Sequence, residues 1–149
     1  MYKHSSQAAP DFTAGSAFIK GELTVAVVSA GTLDRLAAQL EQAIGRSELE
    51  LLHVHDVDGL LRARGVAVDF RCRVYEVWNA ALAARLTGFD ADVSHVLPCR
   101  ITLHDQGGVT TAVAPLPRVV MTEFSHATEV GRIARGLENM LQEVMRELD

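Results

Sequence analysis

Residues 96–115 read VLPCRITLHDQGGVTTAVAP, from Val96 to Pro115. Apolar and β-branched residues alternate with polar ones on both sides of Asp105-Gln106-Gly107-Gly108, which is a hairpin signal. The reading expects Val96 to His104 and Val109 to Ala114 to pair as antiparallel strands. Pro115 and Pro117 are expected to end the second strand, because proline has no amide proton to give to a ladder. This hairpin decides the fold class. A sheet that is antiparallel here, in a chain that also carries helical patterns, reads as α+β.

Working outward, Leu23 to Ala30 is a short β-branched run bounded by Gly21 and Gly31 and reads as a strand. Leu33, Leu36, Ala37, Leu40 and Ile44 then recur at three and four residues, with Thr32 as cap and Gly45 as stop. Glu48 to Val54 has strand character. Asp56 is placed to cap a short helix that carries Val57, Leu60 and Leu61 and closes at Gly65. Val66 to Trp78 is the next strand, clearest at Arg71 to Val77. Asn79 caps a helix from Ala80 to Leu86 that stops at Gly88, and Phe89 to Ser94 reads as loop. The last element is a helix from Ser125 to about Leu148, roughly 33 Å long at 1.5 Å per residue. Its apolar stripe is Val130, Ile133, Ala134, Leu137, Met140, Leu141, Val144 and Leu148, with Arg132, Arg135, Glu138, Gln142 and Arg146 read as solvated.

The expected organisation is a flexible tail over residues 1–21, then one α+β domain over residues 22–149. The long C-terminal helix should lie across one face of a curved, largely antiparallel sheet beside the shorter helices. The opposite sheet face would then need a cover, and a homodimer formed through it is the expected solution.

Composition narrows the function classes. The chain has 149 residues, 48% hydrophobic, 5% aromatic and 22% charged, with a formal net charge of −5. An acidic chain poor in aromatics argues against a nucleic-acid or anionic-membrane partner. No apolar stretch approaches the ~20 residues that span a bilayer. The first twenty residues lack the apolar core of a secretory signal, so the expected location is cytoplasmic. Cys72 and Cys99 are accordingly read as free thiols.

From Leu51 onward the order of motifs resembles the domain-of-unknown-function family 302, found in bacteria and archaea. The residues that carry the likeness are Asp56-Val-Asp-Gly-Leu-Leu-Arg-Ala-Arg-Gly65, Val77-Trp-Asn-Ala80, Leu97-Pro-Cys-Arg-Ile-Thr-Leu103, and the hairpin leading to Ala114-Pro115. The likeness covers roughly residues 22 to 148. Many relatives have Cys-Asn-Pro where this chain has Trp78-Asn79-Ala80, and Cys72, six residues earlier, is no positional substitute for that cysteine. The resemblance implies an α+β fold similar to the TATA-binding-protein-like superfold, a dimer, and no established activity. A fold name carries no function, and the net charge opposes DNA binding.

Four residues are the candidate ligand-binding set: Cys99, Arg100, Arg71 and Arg73. Cys99 shares a strand face with Leu97, Ile101 and Leu103, which makes it a small buried hydrophobe unless a ligand reaches it. Arg100 falls on the other face with Pro98, Thr102 and His104, where it would grip a carboxylate or phosphate or form an ion pair. Arg71 and Arg73 face the same way, paired with Glu48 or Glu50 or joined with Arg100 in an anion site. For a metal or haem, His53, His55, Cys72 and His104 are the candidate ligands, with Cys99 if the strands bring it near; His95 and Cys99, four apart on one strand face, are too distant to share one ion unless the strand bends. No H-E-x-x-H or C-x-x-C spacing is present. Trp78 is expected at a core edge or a subunit contact. The leading expectation is a non-enzymatic homodimer that binds a small ligand or partner. The alternatives are a metal- or haem-binding protein and a thiol-redox protein acting through Cys99.

Overall fold

Gly107 and Gly108 both have positive φ, 63° and 80°, the backbone that a tight hairpin with right-handed strand twist requires. They join strand β5 (Cys99–Gln106) to β6 (Val109–Pro115), with Gln106 opposite Val109. The structure is a computed structural model and describes residues 15–148. Its other elements are β1 (Ala17–Lys20), β2 (Thr24–Ser29), β3 (Glu50–Asp56) and β4 (Arg71–Trp78), with helices α1 (Leu33–Arg46), α2 (Val57–Ala63), α3 (Ala80–Phe89), α4 (Pro117–Thr122) and α5 (Thr128–Arg146). The six strands form one sheet in the order β1-β2-β6-β5-β4-β3. Every neighbouring pair is antiparallel. The fold is α+β, and the arrangement is compatible with the superfold that the resemblance implies.

Side chains alternate across the pleat. Val25 and Val27, Tyr75 and Val77, Ile101 and Leu103, and Ala112 and Ala114 are all buried on one face. Helices α1 and α5 pack on that face and on each other, with α3 and α4 against α5. In α5, Val130, Ile133, Ala134, Leu137, Leu141 and Val144 are buried as the periodicity predicts. Each large apolar side chain so enclosed contributes about 1.5–3 kcal/mol relative to exposure. Among the described residues, no long helix lies over the opposite sheet face, which carries Ala26, Val28, Val74, Arg100, Thr102, His104, Thr111 and Val113, and α2, which packs on β4, folds back across one end of it.

Several boundaries differ from the sequence reading. Ala17–Lys20, inside the span expected as tail, pairs with β2 as an outer strand; residues 1–14 lie outside the described residues. Helix α1 passes Gly45 and ends at Arg46, because Ser47 caps it through both its amide and its hydroxyl on the Ile44 carbonyl. Helix α3 likewise passes Gly88 to reach Phe89 and is capped at Asp90. Ala91–Val96, read as loop or strand, is a short 3-10 helix. Pro117 opens α4 at its first turn, where its missing amide proton costs nothing. Ser125 does not cap α5: its buried hydroxyl accepts from the Ala127 amide, and the helix starts at Thr128. Glu138 and Gln142, read as solvated, are 3% and 9% exposed; Glu138 faces α4, where its carboxylate lies 3.9 Å from Arg118.

Strand β3 carries a bulge. Leu51 pairs with Val77 and His53 with Glu76, so Leu52 is an extra residue that bends this outer strand.

Candidate functional site

Cys99 opens β5 opposite Val77. It is 7% exposed, and burial pushes its thiol up to about 12. The thiolate, which is the nucleophilic form, is therefore scarce at neutral pH. Cys99 behaves as a small apolar side chain here. The peptide before Pro98 is cis. At this end of the sheet, Leu97, Pro98 and Cys99 meet Pro115, Val120 and Met121 around a cleft of about 310 Å³. His95 and Arg100 bring the two titratable side chains on its lining besides the Cys99 thiol. Because the cleft lies beyond the strand ends, both Cys99 and Arg100 reach it from opposite sheet faces.

The three arginines do not converge. The β4–β5 register sets Arg100 opposite Glu76, and its guanidinium lies 3.7 Å from that carboxylate. Arg71 and Arg73 point to the helix-covered face, where both bind Asp34 at the start of α1, at 3.0 and 3.2 Å. Asp34, not Glu48 or Glu50, is their partner. The Arg71 guanidinium, helped by Arg73, holds the Asp34 carboxyl below its ordinary range. Glu50 instead accepts from the indole nitrogen of half-buried Trp78, at 3.2 Å. An anion site built from Arg71, Arg73 and Arg100 together is thus not formed.

His53 and His55 do share a face, as expected, with ring centroids 4.5 Å apart in an edge contact. His55 Nε2 is 3.1 Å from the Glu76 carboxylate. Cys72 sits opposite His104, whose ring stacks on Phe70 at 5.4 Å. His95 belongs to the 3-10 helix, not to a strand, and its ring lies against Phe124. Among the described residues, no three or more His, Cys, Asp or Glu side chains come together as a metal-binding group. The candidate ligands fall into separate pairs. Cys72 and Cys99 are free, on opposite sheet faces.

Sequence reasoning missed five contributors. Val120 and Met121 belong to α4, whose signal was Pro117-Arg118 followed by the apolar triplet Val119-Val120-Met121. Arg64 and Leu60 join His55, Val74 and Arg100 around a second hollow of about 420 Å³; only the strand register reveals that α2 meets Arg100. Asp58, read as a helix-start residue, is 5% exposed and accepts from the Cys72 amide at 2.7 Å while binding Arg62. The four-residue spacing of Asp58 and Arg62 was the available signal.

A family model described as domain of unknown function DUF302 matches residues 25–148. The chain belongs to the DUF302 family. No curated protein matches it. Among solved structures, the crystal structure of an uncharacterized conserved DUF302 protein from Bacillus stearothermophilus is similar, with a TM-score of 0.79 and 19% identity. The match covers 87% of this chain and 100% of that one, so the two DUF302 proteins share the fold. Among the described residues no helix is long and apolar enough to cross a membrane.

Proposed function

We propose that this protein is a non-enzymatic binding protein of the cytoplasm that holds a compact, largely apolar ligand in the cleft at the start of β5. The observation that carries this reading is the lining of that cleft: apolar walls from Leu97, Pro98, Val120 and Met121 around about 310 Å³, with Arg100 beside them. Ligand sites have this character, a mostly apolar enclosure with a few placed polar groups. The Arg100 guanidinium has only a 3.7 Å contact with Glu76, which leaves donors for a carboxylate on the ligand. Cys99 contributes wall and not nucleophile.

The test is thermal denaturation with benzoate, and with benzyl alcohol as its uncharged counterpart. Benzoate should raise Tm with concentration, as a ligand that binds only the folded state does. Met121→Trp, which fills the cleft, should remove the effect, and Arg100→Ala should bring benzoate down to the level of the alcohol. A benzoate effect that persists in Met121→Trp, or no effect in the wild type, refutes the reading.

A second observation favours a homodimer. Toward the centre of the sheet face opposite the helices, Ala26, Thr102, Thr111 and Val113 are partly exposed and uncharged among the described residues. In a twofold contact each patch meets itself, so a charge near the axis would meet its own copy. Light scattering should give twice the chain mass at micromolar concentration, and Thr111→Lys should halve it. A monomeric wild type rules this out.

A further inference from the structure

The hollow between α2 and the open sheet face shares Arg100 with the cleft but has otherwise its own lining, and its chemistry points to a different occupant. Leu60 and Leu61 of α2 and Val74 of β4 wall a space of about 420 Å³. Leu60 keeps 48% of its surface exposed there. Three nitrogen-bearing side chains ring the same space: His55, Arg64 and Arg100. Arg64 uses one guanidinium nitrogen on the Leu60 carbonyl, at 3.0 Å, and its other N–H groups remain available. Glu76 lies 3.1 Å from His55 and 3.7 Å from Arg100. It therefore steadies both at the rim without standing in the lining itself.

A lining that combines an apolar wall with two arginines selects by exclusion. A cation is repelled by Arg64 and Arg100. A neutral apolar molecule leaves the spare N–H donors of both forks unused, and an inorganic anion leaves the leucines wet. An anion with an apolar body satisfies both: its carboxylate takes paired N–H donors, and its chain displaces water from Leu60, Leu61 and Val74. We propose that this hollow binds a free acyl carboxylate of medium chain length, with the headgroup between Arg64 and Arg100 and the tail along α2. Arg100 lines both spaces, so this site shares one guanidinium with the cleft reading, while Arg64, Leu60 and Leu61 belong to the hollow alone.

Calorimetric titration of the full chain with decanoate, below its micelle concentration, tests the proposal. Decanoate should bind saturably, with decanol and decyltrimethylammonium at least about tenfold weaker. Arg64→Ala should lower the affinity about tenfold, and Leu60→Glu should abolish it; both side chains are surface-exposed, and circular dichroism confirms that the variants fold. Met121→Trp should leave decanoate binding unchanged. Decanol binding as tightly as decanoate, or wild-type affinity in both Arg64→Ala and Leu60→Glu, overturns the proposal. Binding that Met121→Trp removes and Leu60→Glu spares belongs to the cleft and overturns this site alone. Co-sedimentation with anionic vesicles, in preference to free decanoate, would assign the surface to a membrane and overturn it too.

Discussion

Asp58 holds the junction between β3 and α2, and replacing it gives a graded prediction. Strand β3 ends at Asp56, so the amide of Cys72 on β4 has no strand partner; the Asp58 carboxylate accepts from it at 2.7 Å and also binds Arg62. Hydrogen bonds to a charged group contribute about 1.5–3 kcal/mol each. Arg62 is 48% exposed, so its share falls toward the ~0.2–1 kcal/mol of a surface pair. Asp58→Ala removes both and leaves the Cys72 amide unpaired, for an expected loss of about 2–4 kcal/mol. Asp58→Asn keeps a neutral acceptor for Cys72 and should lose about 1–2 kcal/mol. Urea denaturation measures both, and the Cys72 amide should exchange faster in the alanine variant.

The pH dependence adds a sign. Burial raises the Asp58 pKa, but the Cys72 amide and Arg62 outweigh it and hold the carboxyl below its ordinary 3.8. A depressed folded pKa contributes stability above the unfolded value, and that stability is lost as pH falls through the folded one. The gap between wild type and Asp58→Asn should therefore be flat from about pH 7 to about pH 5 and close below about pH 4. A gap under about 0.5 kcal/mol for Asp58→Ala, or one that persists undiminished in acid, refutes the reasoning.

Other outcomes follow from single contacts. Thr32 accepts from the Arg35 amide at 3.2 Å, so Thr32→Ala should lose about 1 kcal/mol in chemical denaturation, and a neutral result would mean the cap carries no weight. Glu138 is 3% exposed, with one carboxylate oxygen lacking a hydrogen-bond partner. Glu138→Met should raise stability by about 1 kcal/mol; destabilisation would show that the Arg118 contact outweighs the desolvation. Cys99, with its thiol pushed up to about 12, should react with a disulfide reagent at pH 8 only on the timescale of unfolding, and rapid native labelling that Cys99→Ser removes would restore a redox role.

The hairpin was legible because its turn demanded glycine at two consecutive positions, and few alternatives suit that backbone. Caps at Thr32, Asp56 and Asn79 were legible for the same local reason: each side chain binds an amide three residues on. Gly45 and Gly88 misled because a helical glycine costs only about 1 kcal/mol, less than the packing that carries α1 and α3 past them. Glu138 misled for a longer-range reason. It contacts α4, and α4 was hidden behind two prolines read as a stop, so α5 showed one apolar stripe where it has two neighbours. The arginine site failed on register. Residue parity places Arg71 and Arg73 together, but their relation to Arg100 depends on how β4 slides against β5. No single strand records that offset. The hollow beneath α2 was illegible for the same reason.

The extra residue at Leu52 has a bearing on how copies of this chain meet. A sheet with two open ends offers a template on which strands from other molecules can stack without limit. Here one border is kinked by the bulge, and the other is a four-residue strand ending in Lys20. Neither presents the long flat row of amides and carbonyls that such growth needs. Among the described residues, strand-on-strand growth is thereby disfavoured at both borders, and the chain is biased away from an open-ended fibre.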